Sequence, residues 1–470
     1  MSALSPGDDR AARGTGPRSA LKSVWSTTTS HPVAAPFALA LAVRLVAAGA
    51  ITAFQHGYLF PDESNYVGFG ALAARGRLTT SVAGGYGESL FHEAASFMWP
   101  VTILFKLFGP HVLVAALWAA LFGALTAALT AVLVGLLVSR AWAALAGLAV
   151  AVFPSQVLWS SVVLRESMVW AALLGIAIGV AGFARARNWE WLLGATVVVG
   201  LSLLAVAYLR SWGFVAGAWA VAVAPWLFRP VRPFVTRSLC LALCIIVPVL
   251  PGLGPAGATY VQHKGGNLGM ERTVLAEGAK SAFVHPKVAP VTSSKPGTTT
   301  KPPTTTKKPP TTTTTTVTVP SALANESLVI PTGFKNDLKA LPTGLIAFAL
   351  RPFPWQHGEG LSYDFAALEE FLYYPLYLLA MIGVIAYRRR REVIAFPLLV
   401  TVLVTGIAAE AEGNLGSAFR HRDQLFWAVA FFATLGTHHL YLWWRRRGTS
   451  AVQLPETGED QRSPTVPASL

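Results

Sequence analysis

Residues 112–138 read VLVAALWAALFGALTAALTAVLVGLLV and hold no charged side chain. About 20 apolar residues in a helix cover the roughly 30 Å of bilayer hydrocarbon, and this run is longer. Lipid offers the backbone no hydrogen-bond partner, so the stretch predicts a membrane-spanning helix. Further runs of the same character lie near 33–54, 141–159, 163–183, 189–209, 211–228, 238–253, 371–387, 393–411 and 424–443, those at 211–228 and 238–253 being short. The expectation is an all-α polytopic membrane protein of about ten transmembrane helices. Phe97–Phe108 and Leu341–Leu350 are apolar but too short to cross, and read as interfacial or re-entrant segments. Composition agrees: of 470 residues 53% are hydrophobic and 13% charged, against roughly 25% charged in soluble domains. The surplus apolar surface needs lipid.

The net charge of +14 is mostly a topology signal, because Lys and Arg gather on the cytoplasmic side of short loops. A cytoplasmic N-terminus places Arg10, Arg13, Arg18 and Lys22 inside, together with Arg140, Arg185, Arg187, Arg229, Arg232, Arg237, Arg388 to Arg391 and Arg445 to Arg447. The short outer segments after the third, fifth and ninth spans keep only Arg165, Arg210, Arg420 and Arg422. The protein is therefore expected in the plasma membrane with both termini cytoplasmic, and nucleic acid drops out as a partner. The first apolar run follows a 32-residue polar tail and is long enough to stay in the membrane, so it is not read as a signal peptide.

The expected organisation is a disordered cytoplasmic tail (1–32), helices one to seven (33–253) with an outer loop at 55–111, a second outer loop (254–370), helices eight to ten (371–444) and a disordered cytoplasmic tail (445–470). Within the second loop, residues 291–320 form a Thr/Pro/Lys tract that cannot bury apolar area and should be an extended spacer, whether bare or carrying O-linked sugars. Leu454 to Gly458 spell LPETG, but no apolar span follows, and the match is read as coincidence. The two cysteines, Cys240 and Cys244, sit in one apolar run and exclude a disulfide scaffold or a cysteine-rich metal site.

Ionisable groups crowded at one face of a membrane protein are costly, and so informative. Three clusters stand out, all on the outer side. PDESNY places Asp62, Glu63 and Tyr66 just past the first span; one carboxylate can act as a base while its neighbour orients, or the pair can simply cap a helix. PSQVLWSSVVLRES ends in Arg165 and Glu166, and the planar fork of an arginine there suits a lipid-linked phosphate, an ion pair or snorkelling to headgroups. EAEGNLGSAFRHRDQ gathers Glu410, Glu412, Asn414, Arg420, His421, Arg422 and Asp423 between the last two spans. His92-Glu93-Ala94-Ala95-Ser96 begins like a zinc-protease helix but has Ser96 where a second His is required. No Walker or dinucleotide motif occurs, so a nucleotide-driven pump is unsupported.

Together these features resemble the GT-C superfamily of membrane glycosyltransferases, in particular the bacterial group related to protein O-mannosyltransferases and lipid A aminoarabinose transferases. The resemblance rests on the Leu-Arg of the first span at Arg44, PDESNY, the Ala/Gly segment GFGALAARGRL, Lys106 to Gly109 (KLFG), FPSQVLWSSVVLRES and GNLGSAFRHRDQ, and it covers most of 33–440 outside the Thr/Pro tract. It implies a sugar on polyprenyl phosphate as donor and a hydroxyl of a lipid, glycan or protein as acceptor, with an outward-facing site. Asp62 would be the base beside Glu63, Arg165, Arg420, Arg422 and His421 would bind the donor phosphate, and Tyr66, Glu166, Glu410, Glu412 and Asn414 would support them or the acceptor. The sequence departs from the group in having Arg-Glu-Ser where some members place an aspartate, and it has no Asp-x-Asp motif, which leaves a divalent metal open. The rival readings are a lipid-linked glycan polymerase or ligase, a flippase-like transporter of cell-envelope polysaccharide and a non-catalytic scaffold. Transporters place charges near the midplane, and in the sequence only Arg44 reads as deep. A cysteine at Thr305 should be labelled by an impermeant thiol reagent from outside intact cells; protection would invert the assigned topology.

Overall fold

The computed structural model describes residues 26, 28–54, 58–79, 90–252, 334–356, 361–411 and 415–450, and among these it contains helices and turns without a strand. The helices are α1 (Ala34–Phe54), α2 (Pro61–Ala74), α3 (Ala95–Phe108), α4 (Val112–Gly135), α5 (Arg140–Val152), α6 (Pro154–Ser160), α7 (Glu166–Arg185) and α8 (Trp189–Ala207). They continue as α9 (Ser211–Leu227), α10 (Pro233–Gly252), α11 (Phe334–Leu350), α12 (Leu361–Tyr387), α13 (Arg391–Ala411), α14 (Leu415–Arg422) and, after a 3-10 turn at Asp423–Leu425, α15 (Phe426–Ser450). The Thr/Pro tract, most of the N-terminal tail and residues 451–470 lie outside the described residues.

Seven helices among the described residues are long and apolar enough to cross a membrane, or eight if the bent pair α5 and α6 is one span. The runs expected at 211–228 and 238–253 form the shorter apolar helices Trp212–Leu227 and Pro233–Val247. Large apolar side chains face outward from the bundle, Val46 at 72%, Leu193 at 65% and Ile245 at 66% exposure, a surface suited to lipid and not to water. Helix α12 starts at Leu361, nearly three turns before the expected span at 371, and carries Glu369 and Glu370 into the bundle. At the other end α15 runs on through Arg445 to Arg447, good helix formers, and past Gly448 to Ser450.

Helix packing depends on small residues. A Cβ on Gly383 of α12 would meet the Phe432 carbonyl oxygen at 2.0 Å, and one on Gly436 of α15 would meet that of Leu379 at 2.0 Å. Only glycine allows these two backbones so close, the usual solution where lipid removes a hydrophobic drive for association.

The run expected as one span at 141–159 is broken. Pro154 has no N–H to offer the Val150 carbonyl, Phe153 turns extended (φ −64°, ψ 127°), and the chain bends by 60° into α6. The fully buried Arg44 of α1 fills the gap. Its Nη1 donates to the Ala151 carbonyl at 2.9 Å and the Ala40 carbonyl at 3.1 Å, its Nη2 to Val150 at 3.3 Å, and its Nε to the Ser160 hydroxyl at 2.6 Å. Gly123 of α4 makes room, since a Cβ there would lie 2.5 Å from Arg44 Nε. Arg44→Met should lower stability by about 3 kcal/mol, the cost of leaving buried carbonyls unpaired and losing charge-assisted hydrogen bonds. Thermal unfolding in detergent reads this, and an unchanged midpoint would remove the stapling role.

Candidate functional site

At the end of the bundle where α1 passes into α2, three elements distant in sequence converge. Trp159 of α6 lies 4.6 Å from the Phe60 ring and 6.1 Å from the Phe419 ring, centroid to centroid, which joins the start of α2 to α14. Pro61 opens α2 with Asp62 and Glu63 in its first turn, where carboxylates favour the helix dipole. The two neighbours then diverge. Asp62 points out, its side chain 44% exposed, with Oδ2 accepting from Arg420 Nη1 at 2.6 Å. Glu63 points in and accepts from the Leu59 N–H at 3.0 Å and from the Val163 N–H at 3.1 Å. Glu63 thus locks the bend before Arg165 onto α2, while Asp62 remains the reachable acid.

Glu166 is buried in the first turn of α7; its Oε1 accepts from Arg210 Nη2 at 3.1 Å and forms an ion pair with Arg420, whose Nε lies 3.3 Å away. Arg420 therefore bridges Asp62 and Glu166, and Arg210 joins from the start of α9. Arg165 lies beside them; its Nε and Nη1 are buried with no hydrogen-bond partner among the described residues, and Glu93 is near enough to act on its charge. Burial alone would push the Asp62 carboxyl up, but the guanidinium of Arg420, with Arg165 and Arg210 behind it, holds it below the usual carboxylate range. Burial pulls Arg210 down to about 10 against the pull of Glu166. Tyr66, buried against Phe97 at 5.5 Å, is pushed up to about 12, mainly by burial, so its hydroxyl keeps its proton. His421 packs on Trp212 at 5.4 Å, and Arg210 sits over the same indole at 5.1 Å.

Arg422 does not join this group, contrary to the expectation that it binds phosphate beside Arg420. Two residues along a helix turn a side chain by about 200°, and Arg422 faces a second buried cluster. It pairs with Glu370, donates to the Arg351 carbonyl at 3.2 Å and lies 4.6 Å over the Tyr373 ring. Asp423 beside it accepts from the Tyr373 hydroxyl and, at 2.8 Å, from the Ser155 hydroxyl, while Glu369 accepts from the Ser155 N–H at 2.8 Å. Glu369 thereby caps the first turn of α6 from another helix. Sequence reasoning missed Glu369, Glu370 and Arg210 as partners; the signal available was an acid pair directly before an apolar run, matched by an Arg-Asp pair before another. Glu412 and Asn414 lie outside the described residues, as does the side chain of Glu410. No group of three or more His, Cys, Asp or Glu able to hold a metal ion occurs among the described residues.

No family model matches the chain, and neither a curated protein nor a solved structure does. The chemistry of the site therefore rests on its own geometry: a reachable carboxylate, a guanidinium that bridges it to a buried acid, and a second guanidinium with unfilled donors. Glu63→Gln should cost about 2 kcal/mol, because an amide NH2 cannot accept from the second backbone N–H, whereas the more exposed Asp62→Asn should leave stability close to wild type. Paired thermal unfolding checks this, and equal losses would contradict the division of roles.

Proposed function

We propose that the chain is a membrane glycosyltransferase of the GT-C type, with about ten spans, both termini in the cytoplasm and its site on the outer face of the plasma membrane. The donor is a sugar on polyprenyl phosphate and the acceptor a hydroxyl of a lipid, glycan or protein. The observation that carries this reading is the half-exposed Asp62 carboxylate held by Arg420 next to the unfilled donors of Arg165, a base and an anion clamp in one place.

In this mechanism Asp62 takes the proton from the acceptor hydroxyl, the acceptor oxygen bonds to the anomeric carbon, and the bond from that carbon to the phosphate oxygen breaks with its electron pair on phosphate. Arg165 and Arg420 stabilise the departing phosphate, whose two oxygens fit a guanidinium fork. Arg420 has a double role. While it pairs with Asp62 the carboxylate is a poor base; a bound phosphate competes for the same guanidinium, loosens the pair and lets burial raise the basicity of Asp62 as substrate arrives.

The buried group of Glu369, Glu370, Arg422 and Asp423 is the one feature that favours a flippase-like transporter, since intramembrane charges often mark a transport path. Its hydrogen bonds speak for the enzyme: Glu369 and Asp423 accept from Ser155 and Arg422 is paired with Glu370, so the group fastens α6 to α12 and α14. Asp62→Asn should reduce sugar transfer by about 10² to 10⁴ while the affinity for a prenyl-phosphate donor rises, because Arg420 loses its competitor. Near-normal transfer would move the base elsewhere, and absence of transfer by the wild-type protein from any prenyl-phosphate sugar would leave the polymerase, ligase or flippase readings.

A further inference from the structure

The opposite end of the bundle is held together by contacts between its turns. Arg185 Nη2 donates to the Leu136 carbonyl at 3.0 Å, Arg232 Nη2 donates to the Arg187 carbonyl at 3.3 Å, and Trp142 lies 5.3 Å from the His438 ring and 5.6 Å from the Tyr441 ring. These contacts, with the Tyr387 hydroxyl of α12 hydrogen-bonded to His438 Nδ1, bring the α4–α5, α7–α8 and α9–α10 turns and the last turns of α12 and α15 onto one face. Every Lys or Arg position on that face is an arginine, including the run Arg388 to Arg391 and the run Arg445 to Arg447, whereas the lysines of the chain all lie outside residues 112–252 and 361–450. Glu190 and Glu392 are the described acids there.

Four of these arginines lie over aromatic rings. Arg447 is 3.8 Å from the Trp443 ring, Arg237 is 4.2 Å from Trp226, Arg232 is 4.4 Å from Trp189 and Arg445 is 5.7 Å from Tyr441. The indoles themselves are open, Trp189 at 60% and Trp226 at 58% exposure. We propose that this end is a collar that binds the phosphates of anionic phospholipids in the leaflet it faces.

The sidedness rule by itself asks only for positive charge, which lysine supplies as well. A guanidinium stacked by its face on an aromatic ring turns its N–H edge sideways, and with five N–H donors it can match two phosphate oxygens even where, as at Arg232 and Arg237, one nitrogen already donates to a backbone carbonyl. Tryptophan at the same level fits the headgroup layer, where its ring is buried in part and its N–H stays wet. Flush with the lipid-facing helix surfaces, such a collar suits a membrane surface. Anionic headgroups near basic residues then add to the stability of the inserted protein, an effect that falls off within a Debye length.

The full-length protein purified in neutral detergent, offered equal amounts of phosphatidylglycerol and phosphatidylcholine, should retain several-fold more phosphatidylglycerol by native mass spectrometry. It should also unfold at a higher temperature in phosphatidylglycerol-containing nanodiscs than in phosphatidylcholine alone. Replacing Arg389, Arg390, Arg445 and Arg447 with Gln should abolish both preferences. The same four positions as Lys keep the charge and the insertion signal, and should retain only a part of each preference. Equal retention of the two lipids by the wild-type protein would overturn the collar, as would a Lys variant indistinguishable from it, which would reduce the arginines to topology signals.

Discussion

The guanidinium of Arg44 is the constraint on which the arrangement of this protein depends. A helix cannot be broken at Pro154 inside an apolar bundle unless something takes over the carbonyls of Val150 and Ala151, because lipid and packed side chains offer no donors. Arg44 supplies them from α1, and its hydrogen bond to Ser160 sets the far end of α6 at the same time. Once α6 is fixed, the stretch that follows can present the Val163 N–H to Glu63 and deliver Arg165 and Glu166 to the site. A charge that a sequence reader would take for a transport feature is here part of the backbone hydrogen-bond system.

The same economy governs the acids. Glu63 and Glu369 each accept from backbone N–H groups of another segment, so each fastens the α6 region from a different side, and Asp423 adds a third hold through Ser155. Buried carboxylates satisfied by several donors are tolerable where an unpaired one is not. What is left over is Asp62, more exposed than its neighbour and tied to a side chain, Arg420, in place of the backbone. A side-chain partner can be displaced by a competing anion; a backbone partner cannot without unfolding the turn. That difference separates Asp62, the acid with a displaceable partner, from Glu63 and Glu369, which are fixed to the backbone.

The two ends of the bundle use arginine in opposite ways. At the Asp62 end the guanidinium groups of Arg210 and Arg420 are bound into carboxylates, whereas at the other end guanidinium groups lie on exposed aromatic rings with few acids near. Screening by buried partners at one end and exposure at the other give the molecule a polarity that its net charge of +14 does not reveal.

The apolar runs by themselves determined that the chain is helical and suited to a bilayer, because hydrophobic length is a local property and each segment satisfies its own backbone. The clustering of arginines in alternate turns was equally legible, as was the crowding of charge in PDESNY, LRES and FRHRDQ, since charges beside apolar runs stand out one by one. The break at Pro154 was visible as a residue but not as a bend, because a proline in a helix can kink or be absorbed, and the deciding partner, Arg44, lies more than a hundred positions away. Only the tertiary structure separated Asp62 from Glu63, turned Arg422 away from Arg420 toward Glu370, and brought Arg210 to Glu166. Adjacent residues on a helix point in different directions, and which direction meets a partner depends on helices whose mutual placement no local pattern encodes.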